Sequence, residues 1–281
     1  MSGVWDFFDK IYVISIPGSK LIDRLKINFE AVNLNKYEII EFTPAKKTVN
    51  DGSNVKDLTL FELLTHDTCD DTCNNITNNH LSLIEKCYED PTVSNVLIFE
   101  DDAEFEIPLN IEKVKRVIEW LKSNPWDMFY FGYCNFSNPF IYPVNKDIVR
   151  LPKPYLGHAY AVSRSGINYF AEHRSQIKDI QIDKFYSYVP LKKYGIFKSI
   201  CFQAKDPALF SLAMKKMNLN VGLKEYSKTT ENLSIILPIV ILVLFLIIFI
   251  VLLYVFIQIY TSRRAQLRNN TIVIPLEVIK V

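Results

Sequence analysis

The chain has 281 residues, of which 32 are Lys or Arg and 31 are Asp or Glu, for a formal net charge of +1. At roughly 100 to 200 residues per domain, this length allows one large domain with an appendage and a sizeable core, and the near balance of charge excludes a global field that would draw the protein to nucleic acid. The five cysteines are odd in number and too sparse for the disulfide framework of a small secreted domain, which favours a reducing compartment.

Met1 to Phe8 has neither the basic start nor the apolar core of a signal peptide, because Asp6, Asp9 and Lys10 interrupt any apolar run. The N-terminus is therefore expected to belong to the folded domain. Lys10 to Ile16 (KIYVISI) is a β-branched and aromatic run closed by Pro17-Gly18, the pattern of a first strand and a turn. A helix is expected from about Leu21 to Val32, a second strand from Tyr37 to Phe42, and a polar loop over Ala45 to Val55 around Asn50-Asp51-Gly52. Asn78 to Glu89 places Leu81, Ile84, Glu85 and Tyr88 at helical spacing after two Asn caps. Val96 to Phe99 (VLIF) is the short apolar run of a strand buried on both faces of a largely parallel sheet. Ile111 to Leu121 has helical spacing, and Met128 to Phe131 is a further buried strand. The alternation of strand and helix signals predicts an α/β class.

The segment VLIFEDDAEFE, Val96 to Glu106, carries the strongest chemical signal. A buried strand ends on three consecutive acids, Glu100, Asp101 and Asp102, at the carboxyl end where ligands bind in open α/β sheets. Adjacent carboxylates repel unless a cation or hydrogen-bond donors neutralise them, and hard cations such as Mn²⁺ and Mg²⁺ take carboxylate and phosphate oxygens together. A solvated acidic turn is the plainer alternative. Thr65 to Asn79 holds His66, Cys69 and Cys73 ahead of His80. Zinc takes Cys and His at short spacings, whereas a Cys69–Cys73 bond or two free thiols are the simpler readings.

Leu233 to Tyr260 carries no charged residue and is apolar all round, and about 20 such residues suffice to cross a membrane. A transmembrane helix is expected there, with Pro238 in its first turns, where the missing N–H matters little, and with Tyr254 and Tyr260 as interfacial anchors. Basic residues on the two sides nearly tie: Lys215, Lys216, Lys224 and Lys228 precede the span, and Arg263, Arg264 and Arg268 follow it. With no signal peptide read, the domain ahead of the span is expected in the cytosol. The sequons at Asn75, Asn135, Asn232 and Asn269 bear on the protein only if the domain is luminal.

Taken in order, KIYVISI with Asp23-Arg24, NNHLSLIEK, VLIFEDDAEFE, WDMFYFG, HAYAVSRSGINYF, IDKFY and FQAKDPALF resemble the successive blocks of glycosyltransferase family 25. That family includes bacterial lipooligosaccharide galactosyltransferases, collagen β-galactosyltransferases and homologues in large DNA viruses. The resemblance covers about Asp9 to Leu212. It implies a GT-A-like (Rossmann-like) mixed sheet flanked by helices, a UDP-sugar donor, a Mn²⁺ or Mg²⁺ cofactor, and transfer of a hexose, galactose or glucose, to a hydroxyl acceptor with inversion. The acceptor would be a glycan, a lipid-linked hydroxyl or a protein hydroxyl.

Carried onto this sequence, the resemblance makes Arg24 a donor contact and places His80, Glu100 and Asp101 in the donor and cofactor site. Asp102 is implied as the metal ligand and Asp183, in QIDKF, as the general base that takes the acceptor proton. His158, in GHAYAVS, is either on the acceptor side or packed in a turn. Three features depart from the family pattern: Ser15-Ile16, followed by Pro17-Gly18, replaces the usual Asn-Leu after the first strand, Thr65 to Asn79 is an Asn- and Asp-rich insertion, and Asn79 replaces the Ser before His80. The expected organisation is a transferase domain over 8–215, a juxtamembrane linker over 216–232, a transmembrane helix over 233–260 and a tail over 261–281. The alternative to an active enzyme is a catalytically inactive family member serving as a membrane-tethered binding or structural protein.

Overall fold

The computed structural model describes residues 3–43, 71–134, 142–177, 181–203 and 223–269, and it divides into two compact units, Met1–Ser234 and Ile235–Val281. In chain order the first unit has β1 (Lys10–Ser15), α1 (Leu21–Ala31), β2 (Glu38–Glu41), α2 (Asp71–Glu89), β3 (Asn95–Glu100), β4 (Ala103–Phe105), α3 (Ile111–Ser123) and β5 (Met128–Tyr130). It continues through β6 (Tyr142–Pro143), β7 (Ile148–Arg150), β8 (Ala159–Ser163), α4 (Arg164–His173), α5 (Ile182–Tyr188), β9 (Lys193–Ile196) and β10 (Cys201–Gln203). A final helix, α6, runs over Leu223–Asn269.

Eight strands form one sheet in the order β2-β1-β3-β8-β5-β9-β7-β6. β1 is parallel to β2 and β3, and β5 is parallel to β9, but β8 lies antiparallel between β3 and β5. The sheet is thus mixed, where the apolar run of β3 alone suggests a largely parallel one. An apolar run reports burial on both faces, and β3 has that with either neighbour direction. Successive side chains of a strand point to opposite faces, so Val13, Leu97, Phe99, Phe129 and Ala161 pack with Leu25 and Phe29 of α1 and Val114, Val117 and Leu121 of α3. Tyr12, Val96, Ile98, Tyr130 and Tyr160 form the other face, with Leu81 and Ile84 of α2, Ile167 and Phe170 of α4, and Ile182 and Tyr186 of α5. The result is a helix–sheet–helix sandwich.

Local chemistry sets several boundaries. Asn110 caps α3 by accepting from Lys113 N at 3.0 Å, as Asn does at helix starts. The predicted helix at Asn78 begins earlier, at Asp71, so Asn78 and Asn79 lie inside it rather than at its cap. His66, Cys69 and the loop read over 45–55 lie outside the described residues, as does Asn135.

Within α6, Ile239–Arg263 is long and apolar enough to cross a membrane, with a mean hydropathy of 3.6 and none of that stretch buried. The helix is continuous from Leu223, so Pro238 sits in its interior and removes one backbone donor there, rather than in its first turns. At ~1.5 Å per residue its 47 residues exceed a hydrocarbon core of about 30 Å, so segments read as linker and tail continue the same helix.

Candidate functional site

β1, β2 and β3 run parallel, so their carboxyl ends meet along one edge of the sheet. Glu100 closes β3, and the chain turns through Asp101 and Asp102 into β4. The three acids do not point together. Glu100 Oε1 lies 3.1 Å from His80 Nε2. Asp101 Oδ2 accepts a 2.7 Å hydrogen bond from Ser15 Oγ at the end of β1. Asp102 Oδ2 is 3.4 Å from Gln203 Nε2, which also reaches Glu100 Oε2 at 3.5 Å.

Gln203 arrives there by register, because β10 pairs antiparallel with β4 and sets Gln203 opposite Ala103. β4 is fixed in turn by the side chain of Asn28 on α1. Its Oδ1 accepts from Phe105 N at 2.8 Å and its Nδ2 donates to Phe105 O at 3.0 Å, the two bonds a neighbouring strand would make.

Asp183 begins α5 and joins the same cluster. Its carboxylate accepts from the backbone N–H groups of Leu156 and Gly157. Leu156 has φ +79°, a left-handed conformation that a branched side chain adopts only when its surroundings enforce it. A Cβ added to Gly157 would lie 3.1 Å from Asp183 Oδ1 and 3.9 Å from Glu100 Oε1, so both acids face this glycine. Burial, and then the charge of Glu100, push Asp183 up to about 6 against the pull of His80 and the two N–H groups. Burial also acts to raise Glu100, but the hydrogen bond and electrostatic pull of His80, with His158 and Gln203, outweigh it and hold Glu100 below the usual range. Neighbouring carboxylates pushed apart in this way are the pattern that separates acid from base.

Beneath the acids, His80 is fully buried. Its Nδ1 lies 2.8 Å from the Tyr160 hydroxyl, which lies 2.8 Å from the Tyr186 hydroxyl. Both ring nitrogens are engaged within the protein, so His80 supports the acidic turn from below. His158 is also buried, with Nε2 3.2 Å from Cys201 O and Nδ1 without a hydrogen-bond partner; burial lowers its pKa.

Of the residues singled out in the sequence, the structure brings Glu100, Asp183 and His80 together, with Asp101 and Asp102 on the adjoining turn. Arg24 lies apart on α1, paired with Glu104 on a half-exposed surface. Sequence reasoning missed Ser15 as a partner of the acids, Gln203, Tyr160 and Tyr186. Tyr186 falls three residues after Asp183 in IDKFY, a spacing that shares one helical face, whereas nothing in the pattern of FQAKDPALF marks Gln203.

Among the described residues no three His, Cys, Asp or Glu side chains are grouped to hold a metal. Glu100 Oε2 and Asp102 Oδ2 nevertheless face one amide, and the Gln203 Oε1 of that amide is buried without a hydrogen-bond partner. Two carboxylates and an idle amide oxygen are donors that suit a hard divalent cation. A cavity of about 760 Å³ lies elsewhere, lined by Trp5, Asp6, Asp9, Asn33, Lys36 and Lys115. Its charged groups are already engaged: Lys36 with Asp6, Lys115 with Glu112, and Asp9 with the N–H groups of Ser94 and Asn95. The carboxyl-end cluster is therefore the stronger candidate.

No protein-family model matches the chain, and a search of curated proteins finds no match. Solved structures similar to it include a protein from STIV, at 14% identity over 70% of this chain and 86% of that one, with a TM-score of 0.39. A glycosyltransferase involved in the glycosylation of the major capsid of PBCV-1 is 10% identical over 75% of this chain and all (100%) of its own, with a TM-score of 0.36. A protein from Bacillus anthracis assigned as a glucose-1-phosphate thymidylyltransferase, in complex with a sucrose, is 9% identical over 76% and 98%, also at 0.36. With TM-scores below 0.5, none of the three carries the functional reading, which rests on the residues themselves.

Proposed function

We propose that this chain is a membrane-anchored glycosyltransferase of the family 25 type that moves a hexose, galactose or glucose, from a UDP-sugar to a hydroxyl acceptor with inversion. The observation that supports it most is that Asp183 and Glu100 both face Gly157 at the carboxyl edge of the sheet. A carboxylate pushed up to about 6 is largely ionised at neutral pH yet basic enough to take a proton.

In this reading Asp183 accepts the proton of the acceptor hydroxyl while that oxygen bonds to the anomeric carbon and the bond to UDP breaks on the opposite face. The N–H groups of Leu156 and Gly157 hold the carboxylate in one orientation as it works. Glu100 and Asp102 would hold a Mn²⁺ or Mg²⁺, and such an ion would supply positive charge to stabilise a diphosphate leaving group. Asp101 would flank this donor side, and Arg24 would reach the donor only by leaving its partner Glu104. The acceptor class is a glycan, a lipid-linked hydroxyl or a protein hydroxyl, presented beside a membrane that α6 crosses, with the enzyme domain on the cytosolic face.

One observation favours the inactive-relative reading instead: the Gln203 amide already reaches both Glu100 and Asp102, as it would if hydrogen bonds replaced a cation there. A panel of UDP-sugars incubated with residues 1–231 in Mn²⁺ separates the two. Release of UDP from one UDP-hexose supports the transferase, and no release from any donor supports the inactive relative.

A further inference from the structure

Glu100 uses its two oxygens differently. Oε2 faces Gln203 and the acidic turn, whereas Oε1 faces His80 Nε2 in the interior. Behind His80 the hydrogen bonds continue through the hydroxyls of Tyr160 and Tyr186, and all three of these side chains are at most 1% exposed. Tyr186 lies one turn after Asp183 on α5. The chain of hydrogen bonds therefore runs from Glu100 on β3 through α2 and β8 to α5, the helix that also carries Asp183, whose carboxylate faces Gly157 beside that of Glu100.

Buried polar groups are costly unless every one is bonded, and apolar residues of the same shape would stabilise such a core as well. A wholly internal His–Tyr–Tyr set that ends on a site carboxylate is explained by orientation rather than by stability. The bonds also have a consistent direction. An ionised carboxylate only accepts, so Nε2–H donates to Glu100; where Nδ1 carries no proton it accepts from Tyr160, whose oxygen then accepts from Tyr186.

We propose that His80, Tyr160 and Tyr186 are positioning residues that act through Glu100, fixing its carboxylate against Asp183 and turning Oε2 towards Asp102 and Gln203. This rests on reading the acids as the transferase site. It reassigns His80 from contact with the donor to support of the acid that faces it.

The test uses the full chain in detergent, with ¹⁵N-labelled histidine; only four histidines occur in it. In wild type the His80 ring should give the neutral signature with the proton on Nε2, and Tyr160→Phe should shift its Nδ1 resonance by removing that donor. On kinetics with a UDP-hexose, His80→Phe should lower kcat by about 10- to 100-fold, the usual effect of losing a supporting partner, with little change in KM. His80→Gln, whose amide can donate to Glu100, should recover most of the loss. Tyr160→Phe preserves the packing and should fall between them. A proton on Nδ1, or an unchanged kcat in both His80→Phe and Tyr160→Phe, overturns the proposal. If wild type turns over no UDP-sugar, the transferase reading fails and the ring spectrum alone decides this one.

Discussion

Ser15 Oγ lies 2.7 Å from Asp101 Oδ2, tying the last residue of β1 to the acidic turn that follows its parallel neighbour β3. The serine hydroxyl thus supplies a hydrogen-bond donor to the acidic turn. Ser15 is buried, so Ser15→Ala leaves a carboxylate without a close donor and should lower stability by about 1 kcal/mol. A thermal melt of the full chain in chelator should show a drop of roughly 2–4 °C, and an unchanged midpoint would mean the bond does not hold the turn.

Asp183→Asn should leave UDP affinity nearly intact and lower turnover by roughly 10²- to 10⁴-fold, as expected for loss of a general base. Wild-type turnover should rise with pH through about 6, where Asp183 ionises. Stability moves the other way. The folded protein holds this proton more tightly than the unfolded chain, whose pKa is near the ordinary 3.8, so the ionised acid costs stability on the order of 3 kcal/mol above pH 6, and the cost vanishes below pH 4. The Asn variant should therefore melt higher than wild type at pH 7 but not at pH 4. Equal melting at both values would place Asp183 in water.

Several elements were legible in the sequence from their apolar periods, although β8 and α4 drew no such expectation. β1, α1, β2, β3, α3 and β5 lie within a residue or two of their expected spans. β6, β7, β9 and β10 have only two to four residues each, too few for alternation to stand out. β9 even begins with a buried lysine, whose Nζ donates to the carbonyls of Tyr186, Ser187 and Val189 at 2.9, 2.6 and 3.0 Å and closes the end of α5. The acidic turn was legible for the same local reason, but the direction of each acid was not. Their partners lie 20 residues away for His80, 86 for Ser15 and 101 for Gln203, and only the sheet order brings them near.

Removing everything after Asn232 should give a soluble, folded first unit. The described strands complete an eight-stranded sheet and the small β4–β10 pair within residues 1–203, and none of the apolar stretch of Ile239–Arg263 is buried. The truncated protein should stay monodisperse without detergent and keep its melting transition. Aggregation of the truncated form while the full chain stays dispersed in detergent would show that α6 covers a face of the domain. Protease treatment of sealed vesicles addresses orientation separately: cleavage of the first unit from outside right-side-out cytosolic vesicles contradicts a cytosolic domain.

The acidic turn offers the sharpest test of the donor site. Asp102 shares the Gln203 amide with Glu100, and a cation held between those acids would be the main counter-charge for a diphosphate. Asp102→Ala removes one of the two anionic oxygens facing that amide, so UDP binding should weaken and lose its dependence on added Mn²⁺. The unliganded fold should persist, because relieving repulsion among neighbouring acids offsets the lost bond to Gln203. Calorimetric titration of UDP into wild type and variant, each with Mn²⁺ and with chelator, distinguishes the outcomes. Binding that needs Mn²⁺ in wild type alone supports the assignment, binding indifferent to metal in both points to a metal-free transferase, and the absence of UDP binding by wild type under either condition would falsify the donor site itself.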